Sequence, residues 1–205
     1  MKKSLIYLSK PLILLVILFS FKVITNALQI GAELPKANIK LLDINGNKIS
    51  MKEAQKPNGL LVMFSCNTCP FVVRNQQRTK AICKYALQNN IGVILLNSNE
   101  GQRNDDDSFK AMKEYAKQQN YEWYYAVDKD NEIADAFGAK RTPECFLFNK
   151  DFRLSYHGAI DDNPGDDENV TNHYLKEAIN NLISGKEIAV KESRSVGCAI
   201  KRKEF

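Results

Sequence analysis

Two runs of apolar residues, Gly59–Ser65 (GLLVMFS) and Ile91–Leu96 (IGVILL), set the strongest limit on how this chain folds. Each has the length of a strand and neither keeps a polar face, so each must be covered on both sides. The segment between them, from about Pro70 to Gln88, has helical character. Its charged and amide residues gather at Arg74–Lys80 and its apolar residues at Phe71–Val73 and Ala81–Leu87. Strand, helix, strand is the unit of a parallel sheet faced by helices, and the expected fold class is α/β.

The rest of the chain continues the alternation. Ile39–Ile44 reads as a short strand closed by the turn Asn45-Gly46-Asn47. A polar loop, Asn97–Asp107, leads into a helix from Ser108 to Gln119 with apolar spacing through Phe109, Met112 and Tyr115. Trp123–Val127 is a third strand, and Asn131–Phe137 a short helix stopped by Gly138. Glu144–Phe148 and Arg153–His157 have the pattern of a hairpin. In the acidic stretch after it, Asp161–Glu168, the residues Asp161, Asp162, Asp166 and Asp167 are expected to form a solvated loop without metal-site spacing. Val170–Ile183 is expected to be a closing helix.

At 205 residues the chain suits one domain of ordinary size, and 5 cysteines are too few for a disulfide-stapled scaffold. The net charge of +5 invites a nucleic-acid reading, but its location removes it. Residues 1–27 carry Lys2, Lys3, Lys10 and Lys22 and no acid, while residues 191–205 carry a surplus of 3 basic residues. Residues 28–190 are left with 20 basic against 22 acidic side chains, which is no basic face for nucleic acid.

The N-terminus resembles an export signal. Lys2, Lys3 and Lys10 precede a short apolar run, Leu12–Phe19, and Thr25 and Ala27 place small residues before a cleavage point at Leu28. An uncleaved membrane anchor is the alternative, although Lys22 would be costly in hydrocarbon. The division expected is therefore 1–27 signal peptide (or anchor), 28–190 folded domain and 191–205 basic tail. The folded part is expected outside the cytoplasm, the periplasm in a bacterium, where disulfides persist.

Chemistry concentrates at Cys66-Asn67-Thr68-Cys69-Pro70, between a buried strand and a helix. Unpaired N–H groups in a helix's first turn stabilise a thiolate, so Cys66 is expected to be the activated nucleophile. Two intervening residues let Cys69 reach back and resolve a mixed disulfide. A structural zinc site would want two further ligands at suitable spacing, and Cys83, Cys145, Cys198, His157 and His173 stand singly in the sequence. Redox chemistry is the stronger reading; no metal and no cofactor are implied.

Several segments carry a resemblance. Phe64-Ser65-Cys66-Asn67-Thr68-Cys69-Pro70-Phe71-Val72, Arg141-Thr142-Pro143-Glu144, His157–Asn163 and Val196–Lys201 are similar to segments of the thioredoxin-like superfamily. They resemble its redoxin branch of exported oxidoreductases, related to the peroxiredoxins and the thiol-specific antioxidant proteins. The resemblance implies a central mixed sheet flanked by helices, a cis Thr142–Pro143 bond facing the cysteines, and a substrate segment pairing with the backbone of Thr142. It also implies protein disulfides as substrates and a thiol electron donor as partner.

The segment departs from its relatives too. Ser65 stands where thioredoxins have Trp, Asn67-Thr68 where they have Gly-Pro, and Thr68 where strongly oxidising relatives have His. A thiol peroxidase is one alternative, with Cys69 in the peroxidatic place, Cys66 where a Thr belongs and Arg141 near the activating Arg. A non-catalytic binding module is another. Cys83 and Cys145 are expected to be buried hydrophobes. Cys198 is a candidate accessory thiol, but the basic tail is expected to dock on Asp161–Glu168 and leave Cys198 as a packing residue without a disulfide to the pair.

Overall fold

The computed structural model describes residues 27–203, so the expected export signal lies almost wholly outside the described residues. The strands are β1 (Leu41–Asp43), β2 (Lys48–Ile49), β3 (Gly59–Ser65), β4 (Ile91–Asn97), β5 (Tyr124–Val127), β6 (Arg141–Thr142), β7 (Glu144–Phe148), β8 (Leu154–Gly158) and β9 (Cys198–Ala199). The α-helices are α1 (Met51–Ala54), α2 (Pro70–Arg74), α3 (Gln76–Gln88), α4 (Phe109–Gln119), α5 (Glu132–Phe137) and α6 (Tyr174–Ile183).

Seven strands form one sheet in the order β2-β1-β5-β4-β3-β7-β8, while β6 and β9 pair separately. The unbroken apolar runs became β3 and β4, parallel neighbours at the sheet's centre and buried along their whole length. β4 also pairs in parallel with β5, whereas β7 runs antiparallel to β3 and β8, and β1 antiparallel to β5. The sheet is mixed and faced by helices, as the resemblance implied.

Side chains alternate along β3, which divides the core. Leu61 and Met63 pack with Ile82, Leu175 and Ile179 from α3 and α6. Leu60, Val62 and Phe64 face the other way, toward Ile133 and Phe137 of α5. There Phe137 meets Phe64, Phe146 and Phe148 edge-on with centroids 5.5, 5.0 and 5.7 Å apart, each pair worth about 1 kcal/mol beyond its buried area.

Some elements differ from the sequence reading. The expected helix from Pro70 to Gln88 is broken at Asn75, whose side-chain amide bonds the carbonyls of Phe71 (2.7 Å) and Pro164 (3.2 Å). The closing helix starts at Tyr174 rather than Val170, because Thr171 and Asn172 are drawn onto the Asp162 carboxylate. The acidic loop is not uniformly solvated: Asp161 is buried and takes Arg78 Nη1 on both carboxylate oxygens at 2.8 Å.

The tail also docks elsewhere than expected. Its path is a strap across the sheet end and not a cover for Asp161–Glu168. Lys191 and Ser193 exchange backbone hydrogen bonds with His157, each at 3.0 Å, beside β8. Ser193 Oγ takes the Ala159 N–H at 2.9 Å and lies 2.7 Å from the Tyr156 hydroxyl. β9 then pairs antiparallel with β6, Ile200 is buried in the α5 side of the core, and Arg202 reaches Asp135 at 2.9 Å. Shape and backbone pairing outrank the charge complementarity on which the other docking was expected: exposed ion pairs add little.

Candidate active site

Sheet register sets the site. β3 and β7 pair Phe64 with Glu144, so the antiparallel register extended by two residues brings Cys66 opposite Thr142. Cys66 Sγ lies 3.3 Å from Thr142 Oγ1. Cys69 precedes α2, with Pro70 in the first turn where a missing N–H costs nothing. The Thr142–Pro143 bond is cis. Cys66, Cys69, Thr142 and Pro143, named separately in the sequence, thus meet at one end of the sheet.

Cys66 is 1% exposed and Cys69 6%. Each sulfur acts on the other's titration, and what surrounds them decides which one carries the proton. At Cys69 the Cys66 thiol is the largest influence and favours the thiolate; burial opposes it, and the Cys198 thiol and the Val72 N–H add to it. The Cys69 thiol falls to about 4. One contact pulls the other way, since Thr142 O lies 3.4 Å from Cys69 Sγ and accepts a bond only from the protonated form. Cys66 is pushed far up, by Cys69 first, then by burial, with the Asp107 charge adding to both. The groups that favour a thiolate, the Val72 N–H and the Cys198 thiol, gather at Cys69 rather than at Cys66.

Behind the pair lies a polar network. Asp107 is fully buried and accepts from the Asn67 backbone N–H (2.9 Å), the Asn97 amide (2.7 Å) and the Asn99 amide (2.8 Å). The Tyr125 hydroxyl donates to Asn67 Oδ1 at 2.9 Å, and Asn67 Nδ2 to Asp106 O at 2.7 Å. Both polar atoms of Asn67's side chain are thus engaged, and the loop between the cysteines is held from below.

A second support sits under the Thr-Pro bend. Glu144 Oε2 accepts the N–H groups of Lys140 and Arg141 at 2.8 and 3.0 Å, and Oε1 lies 2.7 Å from His157 Nε2. Burial would raise the Glu144 carboxyl; the His157 bond and the two amides outweigh it and leave it below the usual range. The His157 ring stacks on Phe146 at 4.3 Å, which fixes its plane.

The other cysteines differ in fate. Cys83 and Cys145 are fully buried in the core on the α3 and α6 side, and burial pushes both thiols up. Cys198 is partly buried and packs on the Cys66–Cys69 cluster. A cavity of about 320 Å³ between α3 and α6, lined by Arg78, Tyr85, Asp161 and His173 among others, contains none of these sulfurs. Among the described residues no group of three or more His, Cys, Asp or Glu could hold a metal ion.

A family model described as Redoxin matches residues 29–175, most of the chain and both halves of the site. The chain belongs to the Redoxin family. This redoxin is an oxidoreductase of thioredoxin-like fold. It is 26% identical over 127 residues to thiol-disulfide oxidoreductase ResA of Bacillus thuringiensis subsp. konkukian (strain 97-27), covering 62% of this chain and 68% of the relative. Among solved structures it is similar to a hypothetical protein of Sinorhizobium meliloti 1021, with TM-score 0.79, 30% identity and coverage of 88% and 98% of the two chains. An uncharacterized conserved protein of Geobacillus kaustophilus gives TM-score 0.81 at 28% identity, with coverage of 88% and 95%.

Two parts of the redoxin site escaped the sequence reading. Asp107 was only the end of a polar loop, although three consecutive acids soon after a buried strand were a usable signal. The seating of Cys198 had no comparable signal, because a two-residue strand pairing with another has no periodicity to read.

Proposed function

We propose that this redoxin is a thiol–disulfide oxidoreductase in which Cys66 and Cys69 alternate between dithiol and disulfide, acting on disulfides of proteins outside the cytoplasm. The observation that carries it is the meeting of both sulfurs on Thr142, Cys66 Sγ 3.3 Å from its hydroxyl and Cys69 Sγ 3.4 Å from its carbonyl oxygen, beside the cis bond to Pro143. Relatives named for thiol–disulfide oxidoreduction support the reaction, and the signal-like residues 1–27 support the location.

In the reducing direction the Cys69 thiolate attacks one sulfur of a substrate disulfide. A mixed disulfide forms and the other substrate sulfur leaves as a thiolate that takes up a proton. Cys66 then loses its proton and attacks Cys69 Sγ, closing the Cys66–Cys69 disulfide and releasing the second substrate thiol. An external dithiol donor restores the pair. This order is the reverse of the one expected from the sequence; the greater exposure of Cys69 and the donors around it support it.

The test is trapping. Cys66→Ser combined with Cys198→Ser, which leaves no neighbouring thiol to resolve it, should accumulate a mixed disulfide on Cys69 with a substrate such as insulin, and Cys69→Ser should lose exchange. Trapping by Cys69→Ser would restore Cys66 as the attacking sulfur; normal turnover by both variants would end the proposal. The peroxidase reading gains from the acidic Cys69 thiol, but the Nη1 of Arg141, its candidate activating group, donates to Gly197 O at 3.0 Å. Stoichiometric peroxide consumption by the wild-type protein, without insulin reduction, would favour that reading.

A further inference from the structure

β6 is only two residues long, and its pairing edge is taken: Arg141 pairs with Ala199 and Thr142 with Cys198. The seat is close-fitting. A Cβ on Gly197 would lie 2.2 Å from Thr142 O and 3.2 Å from Pro143 N, so only glycine lets the strap approach the cis bond this closely. Gly158 makes a similar allowance at the strap's other end. With φ near +151°, it leaves room for Ser193, whose Oγ would stand 2.2 Å from an added Cβ. Beyond β9 the chain is fixed again, by Ile200 N–H to Lys140 O at 3.0 Å, Lys201 N–H to Asn99 Oδ1 at 2.9 Å and Gly101 N–H to Lys201 O at 2.8 Å. A segment so fitted delivers one chemically active group, the Cys198 thiol, onto the cluster of Cys66, Cys69 and Val72, paired through its backbone with the Thr142 whose carbonyl lies 3.4 Å from Cys69 Sγ.

We infer that Cys198 is a third redox thiol of this protein, carried on a detachable strap that exchanges with the active pair to form a Cys69–Cys198 disulfide. The inference rests on the reading of Cys66 and Cys69 as a cycling couple. Starting from the Cys66–Cys69 disulfide, the Cys198 thiolate attacks Cys69 Sγ. The Cys69–Cys198 bond forms, the Cys66–Cys69 bond breaks, and Cys66 leaves as a thiolate that takes up the proton given up by Cys198. No electrons are gained or lost, and no outside oxidant is needed. The exchange keeps the oxidising equivalent inside the protein and turns Cys66 into a free thiol beneath a covalently closed strap. A partner reaches the pair by displacing that strap from β6.

The experiment uses the full chain. Cys66→Ser, oxidised with glutathione disulfide, gains glutathione on Cys69, and Cys198 then displaces it. Non-reducing peptide mapping should show a Cys69–Cys198 linkage in most molecules, and Cys66→Ser/Cys198→Ser should retain glutathione on Cys69 instead. In the reduced wild-type protein Gly197→Ala should speed alkylation of Cys69 several-fold by lifting the strap, with far-ultraviolet circular dichroism unchanged. Stable glutathionylation of Cys69 in Cys66→Ser, with Cys198 remaining a free thiol, overturns the inference even if wild type reduces insulin. Formation of the linkage in a protein that does not reduce insulin upholds the strap chemistry and instead removes the proposed function. Alkylation of Gly197→Ala at the wild-type rate would show that the strap does not guard the pair.

Discussion

The Asp107 carboxylate accepts the backbone N–H of Asn67 at 2.9 Å, across 40 residues of sequence, and so anchors the loop between the two cysteines. A buried acid with all its donors in place is a positioning device, and its charge also bears on the nearer sulfur by holding the Cys66 proton in place.

Asp107→Asn should therefore act on stability and titration in opposite senses. The amide keeps one acceptor oxygen but turns an NH₂ toward donors from Asn97 or Asn99, which should cost about 1–3 kcal/mol in denaturant unfolding. Loss of the negative charge should lower the Cys66 thiol, visible as thiolate absorbance appearing at lower pH. Unchanged titration would mean that Asp107 acts through geometry alone.

The redox state should set how stability responds to pH. Cys69 falls from an ordinary 9.0 to about 4 in the folded dithiol, so between those values the folded protein binds fewer protons than the unfolded chain. A depressed thiol stabilises the fold above the unfolded pKa, and that contribution is lost as pH falls toward the folded one. Above the ordinary thiol range the sign reverses, because Cys66 stays protonated where an unfolded thiol would ionise. The urea midpoint of the reduced protein should rise between about pH 5 and about pH 8 relative to the oxidised one, by a slope of about one proton. Parallel profiles for the two forms would rule out the Cys69 thiolate.

Breaking the buried pair under the acidic loop should be costly. Asp161 is 3% and Arg78 15% exposed at the side chain, and Arg78 also donates to Asn163 O and Pro164 O. Asp161→Ala strands the guanidinium and should lose about 3 kcal/mol. Thermal unfolding measures it, and a loss too small to resolve would mean that the loop carbonyls alone satisfy Arg78.

Thr142→Val removes the hydroxyl that faces Cys66, an influence that lowers that thiol. The resolving sulfur should ionise less readily, so mixed disulfides on Cys69 should persist several-fold longer in quenched-flow trapping. An unchanged lifetime would assign Thr142 a purely backbone role.

The sequence was most legible where burial is uniform. Gly59–Ser65 has no polar face to misplace, and it forms β3 with the residues expected. The hairpin Glu144–Phe148 was as clear, but the role of its first residue was not. Glu144 is polar, begins a strand and caps amides that a sequence cannot show to be nearby. The short helix α1 escaped notice, although Ser50 and Glu53 form a capping box whose spacing is readable. Asn75 breaks a helix that local preference would continue, because its amide finds the Pro164 carbonyl 89 residues on. The cysteine pair was visible because its partners are adjacent in sequence. Cys198 was misplaced because charge suggested one surface, while a glycine's missing side chain selected another.

The closed seat of β9 has a kinetic consequence. With Cys66 and Cys69 almost wholly shielded, collision with a reagent is not enough; the strap must first come away. At low concentration the rate of modification follows the reagent. At high concentration it levels off at the frequency with which the strap opens, and that ceiling is common to a small alkylating agent and a bulky peptide disulfide. Partners of very different reactivity would then be served at one pace, set by how long Gly197 stays pressed against the Thr142 carbonyl.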